Sequence, residues 1–202
     1  MADSPSQHTR PSLLTRLRDL TDQAAWEEFL TIYGPLVFAD LRRRGFNHAD
    51  TEDLMQVVFS RVVQGIQAFD YDRQRGRFRD WLGTIVRYEA IRIWHAQKRQ
   101  PKVTMPADEV SVSGASDPEW VDAFQARIYT IALERCRPRF EAATWAAFEH
   151  VWVQGLTAAA AAAATGLSIE VVYVSKSRVL SALSDVILDL TDEHPIFTTG
   201  PC

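Results

Sequence analysis

Arg87, Ile91, Trp94 and Lys98 are spaced four, three and four positions apart, so any α-helix that contains them carries them on one side, together with Thr84. An aromatic ring and an aliphatic side chain set between cations make a surface suited to stacking unpaired bases and holding phosphates. The four belong to a wider basic stretch. From Tyr71 to Lys102, nine cations (Arg73, Arg75, Arg77, Arg79, Arg87, Arg92, Lys98, Arg99, Lys102) stand against three anions (Asp72, Asp80, Glu89), a local net of +6 in a chain whose formal charge is −4. A single basic surface on an acidic chain suits a polyanion contacted at one place and repelled elsewhere. Two further groups carry polar chemistry. Asp50, Glu52, Asp53 and Gln56 form an acidic face near the start of a periodic apolar segment, and Ser168, Tyr173, Lys176, Ser177 and Arg178 supply hydrogen-bond donors along the last one.

Helices must position all of these. Trp26, Phe29, Leu30, Tyr33, Leu36, Val37 and Leu41 recur at helical spacing, with Gly34-Pro35 expected to kink or split the helix and Gly45 to follow its end. Asp50 reads as the N-cap of a helix over about 51–66, with Leu54, Val58, Phe59, Val62 and Val63 as its apolar stripe. A loop around Gly76 leads into a helix from Phe78 to about Lys98, whose core side holds Phe78, Trp81, Leu82, Ile85, Val86 and Ile93. From Arg99 to Pro118 there are three prolines and no helical period, which reads as a linker.

Beyond it, Phe124, Ile128, Ile131 and Leu133, then Phe140, Trp145, Phe148 and Trp152, describe two amphipathic helices, and Gly155 ends the second. Thr157 caps a run of seven alanines, Ala158–Ala164. A short turn through Gly166 and a cap at Ser168 open a final helix reaching about Leu190. Val171 to Val174 favours strand locally, yet the helical period continues for five more turns, so helix is expected. This is a helix-turn-helix layout. The expectation is an all-α chain of two small helical domains, the second a helix-turn-helix, joined by an extended linker: an N-terminal tail 1–12, a domain 13–99, a linker 100–118, a domain 119–190 and a C-terminal tail 191–202.

The 202 residues, 47% of them apolar, supply a core. No apolar run reaches the ~18 to 20 residues of a membrane span and the polar N-terminus lacks a signal-peptide core. A soluble, cytoplasmic protein without membrane insertion is expected. Cys136 and Cys202 show no metal-ligand spacing and are read as plain thiols. His48 beside Asp50, Glu52 and Asp53 is explained by helix capping, so neither a metal, a cofactor nor a catalytic residue is assigned.

At this point the chain resembles a bacterial RNA polymerase sigma factor of the extracytoplasmic function (ECF) class, sigma-70 family, over about residues 20–190. DTEDLMQVVFSRV (Asp50 to Val62) is similar to the family's core-binding helix. FRDWLGTIVRYEAIRIWHAQKR (Phe78 to Arg99) is similar to its promoter-melting and −10-reading helix, and GLTAAAAAAATGLSIEVVYVSKSRVLSAL (Gly155 to Leu183) to its −35-reading helix-turn-helix. Two positions depart from the pattern: Val57 stands where the family often has a carboxylate, and Ala160 to Ala162 stand where Glu-Ile-Ala is common.

The resemblance implies that the first domain corresponds to sigma region 2 and the second to region 4. It further implies that Asp50, Glu52, Asp53 and Gln56 bind core RNA polymerase through its beta and beta-prime subunits. Arg73, Arg75, Arg77, Arg79, Arg87, Ile91, Trp94, Lys98 and Arg99 would meet and melt the −10 element, and Ser168, Tyr173, Lys176, Ser177 and Arg178 the −35 element. An inhibitory anti-sigma factor is implied as a further partner. Other readings explain less. A helix-turn-helix regulator that is not a polymerase subunit leaves the first hundred residues without a role, a metal enzyme lacks a second ligand cluster, and a helical adaptor leaves the +6 segment unused.

Overall fold

In the computed structural model, residues 12–69, 77–97 and 117–192 are described. Arg73, Arg75, Lys98, Arg99, residues 100–116 of the expected linker and all but Ser12, Thr191 and Asp192 of the two expected tails lie outside the described residues, while Asp117 and Pro118 already belong to the start of α5. Among those described, every regular element is helical: α1 (Leu13–Leu17), α2 (Gln23–Arg43), α3 (His48–Gly65), α4 (Phe78–Gln97), α5 (Pro118–Cys136), α6 (Ala142–Phe148), α7 (Ala158–Thr165) and α8 (Ile169–Thr191). A 3-10 turn, Arg137–Arg139, joins α5 towards α6, and a π-helical turn, Glu149–Val153, extends α6. No single helix among them is long and apolar enough to cross a membrane.

Two local expectations change. Gly34-Pro35 does not split α2, which runs unbroken from Gln23 to Arg43. Proline has no N–H, so the carbonyl of Thr31, four residues back, loses its intrahelical donor. Arg127 of α5 supplies one from outside: its Nη2 donates to Thr31 O at 3.0 Å and its Nε to Ile32 O at 3.1 Å. The second change is at α3, whose cap and first residue each lie three residues earlier than expected. Asn47 takes that place, its Oδ1 accepting from the Asp50 N–H at 2.9 Å, and Asp50 becomes a first-turn carboxylate.

The caps at Thr157 and Ser168 are as expected, and three more are found at Ser12, Asp22 and Asp117. Ser12, Asp22, Asp117, Thr157 and Ser168 each accept a backbone N–H from the first turn of α1, α2, α5, α7 and α8 respectively. Gly166 closes α7 at φ +71°, a left-handed conformation that glycine adopts without a Cβ penalty. The valine-rich start of α8 is helical despite its strand propensity. Val172, Ser175, Val179 and Leu183 are buried along one side, and that burial outweighs a local preference worth well under a kcal/mol per residue.

One hydrophobic cluster runs from Leu13 of α1 to Leu190 of α8 and takes in α2 to α6 on the way. Its centre is aromatic. The Tyr33 ring lies 4.8 Å from Phe29, 5.4 Å from Phe78 and 5.7 Å from Phe124, bringing α2, α4 and α5 together, and its hydroxyl donates to Leu190 O at 2.9 Å. That carbonyl belongs to the last turn of α8, where intrahelical donors run out. A second, small cluster of Ala147, Ala161 and Val172 lies beneath α7 and α8.

Tyr33→Phe keeps the ring packing and removes only the donor to a buried carbonyl, so thermal or urea unfolding should show a loss of about 1 to 3 kcal/mol. Unchanged stability would mean that the hydroxyl has no part in holding the end of α8.

Candidate nucleic-acid interface

The side chains of α4 separate as the wheel requires. Phe78, Trp81, Leu82, Ile85 and Val86 are buried, whereas Ile91 and Trp94 are each 48% exposed. Trp94 leans on Phe46 with ring centroids 6.5 Å apart, so one edge is supported by the core and the rest faces outward. Arg87 is partly exposed and lines a shallow groove with Arg44, Asp80, Gly83, Thr84, Asp117 and Trp120. The exposed face therefore begins at this groove and runs along α4 past Arg87 and Ile91 to Trp94.

Sequence reasoning counted charges in this region but not their pairing. Glu89 lies on the core side of α4 with its side chain fully buried, and accepts from Arg61 Nε of α3 at 3.1 Å and from Arg92 Nε at 2.6 Å. A buried carboxylate requires such partners, since an unpaired one costs several kcal/mol. Arg79 is likewise paired with Asp80 at 3.2 Å. Arg77 is exposed at the entry to α4. Of the nine cations, Arg79 and Arg92 are thus paired with carboxylates of α4 itself, while Arg61, outside the stretch, ties Glu89 to α3.

The start of α5 was also missed as part of this site. Trp120 is buried against α4, its Nε1–H donating to Arg79 O at 2.9 Å. It sits so close to Gly83 that a Cβ there would come within 2.5 Å of Nε1. Asp117 receives Arg43 at 2.9 Å and Arg44 at 3.3 Å, both of which also hold the buried Asp40, and Arg43 pairs with Glu119 as well. The hydrogen bond from Arg43 keeps the Asp117 carboxyl below the usual carboxylate range. Nothing in the one-dimensional pattern marks Gly83 and Trp120 as neighbours, because they are distant in sequence and each reads as an ordinary helix residue.

On α3, Glu52, Asp53 and Gln56 are exposed along one side, and Asp50 is half-buried with its Oδ2 accepting from Asn47 Nδ2 at 2.8 Å. His48 Nδ1 lies 3.4 Å from Glu52 Oε2 one turn on. Leu54, Val58 and Val62 anchor the opposite side in the core.

At the other end of the molecule α7 and α8 are bent 98° apart through Gly166, Leu167 and Ser168, and Ala161 and Val172 are fully buried at their crossing. Small side chains there allow the close approach. Of the predicted donors on α8, Tyr173, Ser177 and Arg178 are exposed. Two are engaged: the Ser168 hydroxyl caps the Val171 N–H at 3.4 Å, and Lys176 Nζ lies 5.1 Å from the Trp152 ring centroid in a cation–π contact. Glu170, Val171 and Val174, which a search for donors passes over, share the outward surface with Tyr173.

Trp94→Ala should leave thermal stability within about 1 kcal/mol of the parent, as for a surface residue. A loss of about 3 to 5 kcal/mol, the cost of emptying a core site, would show that Trp94 belongs to the interior.

Comparison with known proteins adds two matches. Residues 29–100, from α2 to just past α4, match the family described as Sigma-70 region 2. The chain is also 28% identical over 183 residues to a curated relative, the ECF RNA polymerase sigma factor RpoE of Cereibacter sphaeroides (strain ATCC 17023), the match covering 91% of this chain and 96% of the relative.

Proposed function

We propose that the chain is a sigma factor of the ECF class of the sigma-70 family, acting in transcription initiation, and that it binds core RNA polymerase, recognises −10 and −35 promoter elements and melts promoter DNA; its likeness to Sigma-70 region 2 over residues 29–100 and to an ECF sigma factor over most of its length supports the reading. The observation that carries the reading is the exposed Ile91 and Trp94 pair on α4, within the matched region and beside Arg87. Opening a duplex costs stacking and pairing of a few kcal/mol per extruded base, and a protein offsets it by stacking on the bases released. An exposed tryptophan with one edge fixed by Phe46 is already ordered for that contact.

Each surface then has a task. The acidic side of α3 with Asp50, Glu52, Asp53 and Gln56 docks on a basic surface of the beta or beta-prime subunit. Arg77 and Arg87, with Arg73, Arg75, Lys98 and Arg99 beyond the described residues, hold phosphates near the −10 element, while Arg79, mostly buried beside Asp80, supports the start of α4 instead. The helix-turn-helix of α7 and α8 sets the start of α8 into the major groove at the −35 element. The protein works in the cytoplasm and carries no catalytic residue, metal or cofactor of its own, nucleotide addition being the polymerase's chemistry. An anti-sigma factor is a further partner in this reading.

Transcription in vitro with core polymerase, followed by mapping of start sites, tests the whole: recurrent upstream sequences are expected, and none would overturn it. Asp53→Arg reverses an exposed charge without touching the core, so it should weaken core binding several-fold in a pull-down titration at unchanged helicity. Trp94→Ala should cost about 1 to 3 kcal/mol in open-complex formation, read by permanganate reactivity of unpaired thymines, and a pre-melted bubble template should reduce the deficit.

A further inference from the structure

The outward surface of the first turns of α8 has an unusual chemistry for a helix expected to enter DNA. Val171, Tyr173 and Val174 are 43%, 59% and 55% exposed, and Glu170 is exposed among them. The hydroxyl of Ser168 and the lysine at 176 are held by the protein itself, as a cap and over Trp152. Arg178 is exposed, but it follows Glu170 by eight residues, about 12 Å along the helix axis. That distance suits a phosphate at the groove edge while residues 170 to 174 lie over the bases. The C-terminal half adds little general attraction for DNA, because residues 118–191 hold six cations against eight anions.

Base edges in the major groove offer one apolar group, the C5-methyl of thymine, and two amino donors, on cytosine N4 and adenine N6; guanine offers only acceptors. Valine side chains complement the methyl. An acceptor-only carboxylate complements an amino group and repels the O6 and N7 of guanine.

We propose that α8 reads its promoter element through Val171 and Val174 against a thymine methyl, and through Glu170 against the amino group of a neighbouring cytosine or adenine. The inference rests on the −35-reading role given above and names the base chemistry of that site. Glu170 also has a second effect. As an exposed glutamate it is ionised at neutral pH, and the Ser168 hydroxyl lowers its carboxyl further, so it disfavours any groove that presents acceptors alone. Selectivity then comes from matching a few apolar and amino groups, with few phosphate contacts from this end of the chain.

The test uses holoenzyme formed from the full chain and core polymerase, on duplex promoters taken from the mapped start sites, with deoxyuracil replacing thymine one position at a time in the upstream element. Loss of the contacted methyl should weaken binding about fourfold, the worth of one methyl-sized apolar group. Val171→Ala or Val174→Ala should lose a similar factor on the thymine duplex and no more on the deoxyuracil duplex, with thermal unfolding unaltered. Glu170→Gln should relax the preference at an adjacent cytosine or adenine. Equal binding of thymine and deoxyuracil duplexes overturns the inference, as do valine variants that match the parent on both, the result expected if this surface serves a protein partner instead. Specific start sites with an insensitive upstream element overturn the inference alone, whereas absence of specific starts overturns the functional reading and the inference together.

Discussion

Tyr33 is the residue on which the arrangement turns. Its ring is fully buried between Phe29, Phe78 and Phe124, and its hydroxyl closes the last turn of α8 through Leu190 O. Four helices, two from each end of the chain, therefore meet at one side chain. An apolar ring supplies area to the core, while the single polar atom at its tip satisfies a carbonyl that no helical N–H can reach. Around it, the two ends of the chain share one buried cluster, and the polar contacts at its margin follow the same logic. Arg127 supplies the donor that Pro35 lacks, and Trp120 meets α4 where Gly83 leaves room.

Burial also sorts the charges. Glu89 and Asp40 are carboxylates inside the protein, and each draws two arginines, Arg61 with Arg92 and Arg43 with Arg44. Those cations order α3 against α4 and α2 against α5. Their positive charge is largely answered from within by these carboxylates and by Asp117 and Glu119. The same economy of charge marks the C-terminal half, where the exposed start of α8 is apolar and acidic.

Much of the fold was legible because its signals are local. Helical spacing of apolar residues located α2 to α6 and α8, the alanine run located α7, and the caps Thr157 and Ser168 sat where small polar residues precede a helical run. The exposed position of Trp94 followed from its place on the wheel, opposite Trp81 and Ile85. At Asp50 and Asn47 the pattern failed, since either residue suits a cap and only the chain's path out of Gly45 decides which one is used. Gly34-Pro35 misled for a different reason, because the compensating donor lies 92 residues further along, at Arg127.

Of the candidate site, the types of residue were readable and their engagement was not. The sequence by itself determined the helical class, the faces of α3, α4 and α8 and the basic stretch between Tyr71 and Lys102, because each depends on residue type and on spacing within one element. Only the tertiary structure decided that Glu89 is buried between two arginines, that Lys176 lies over Trp152 and that Trp120 seats on Gly83. These are contacts or exposures set by elements far apart in the chain, and their energies depend on distance and burial in space, which a linear order of residues does not specify.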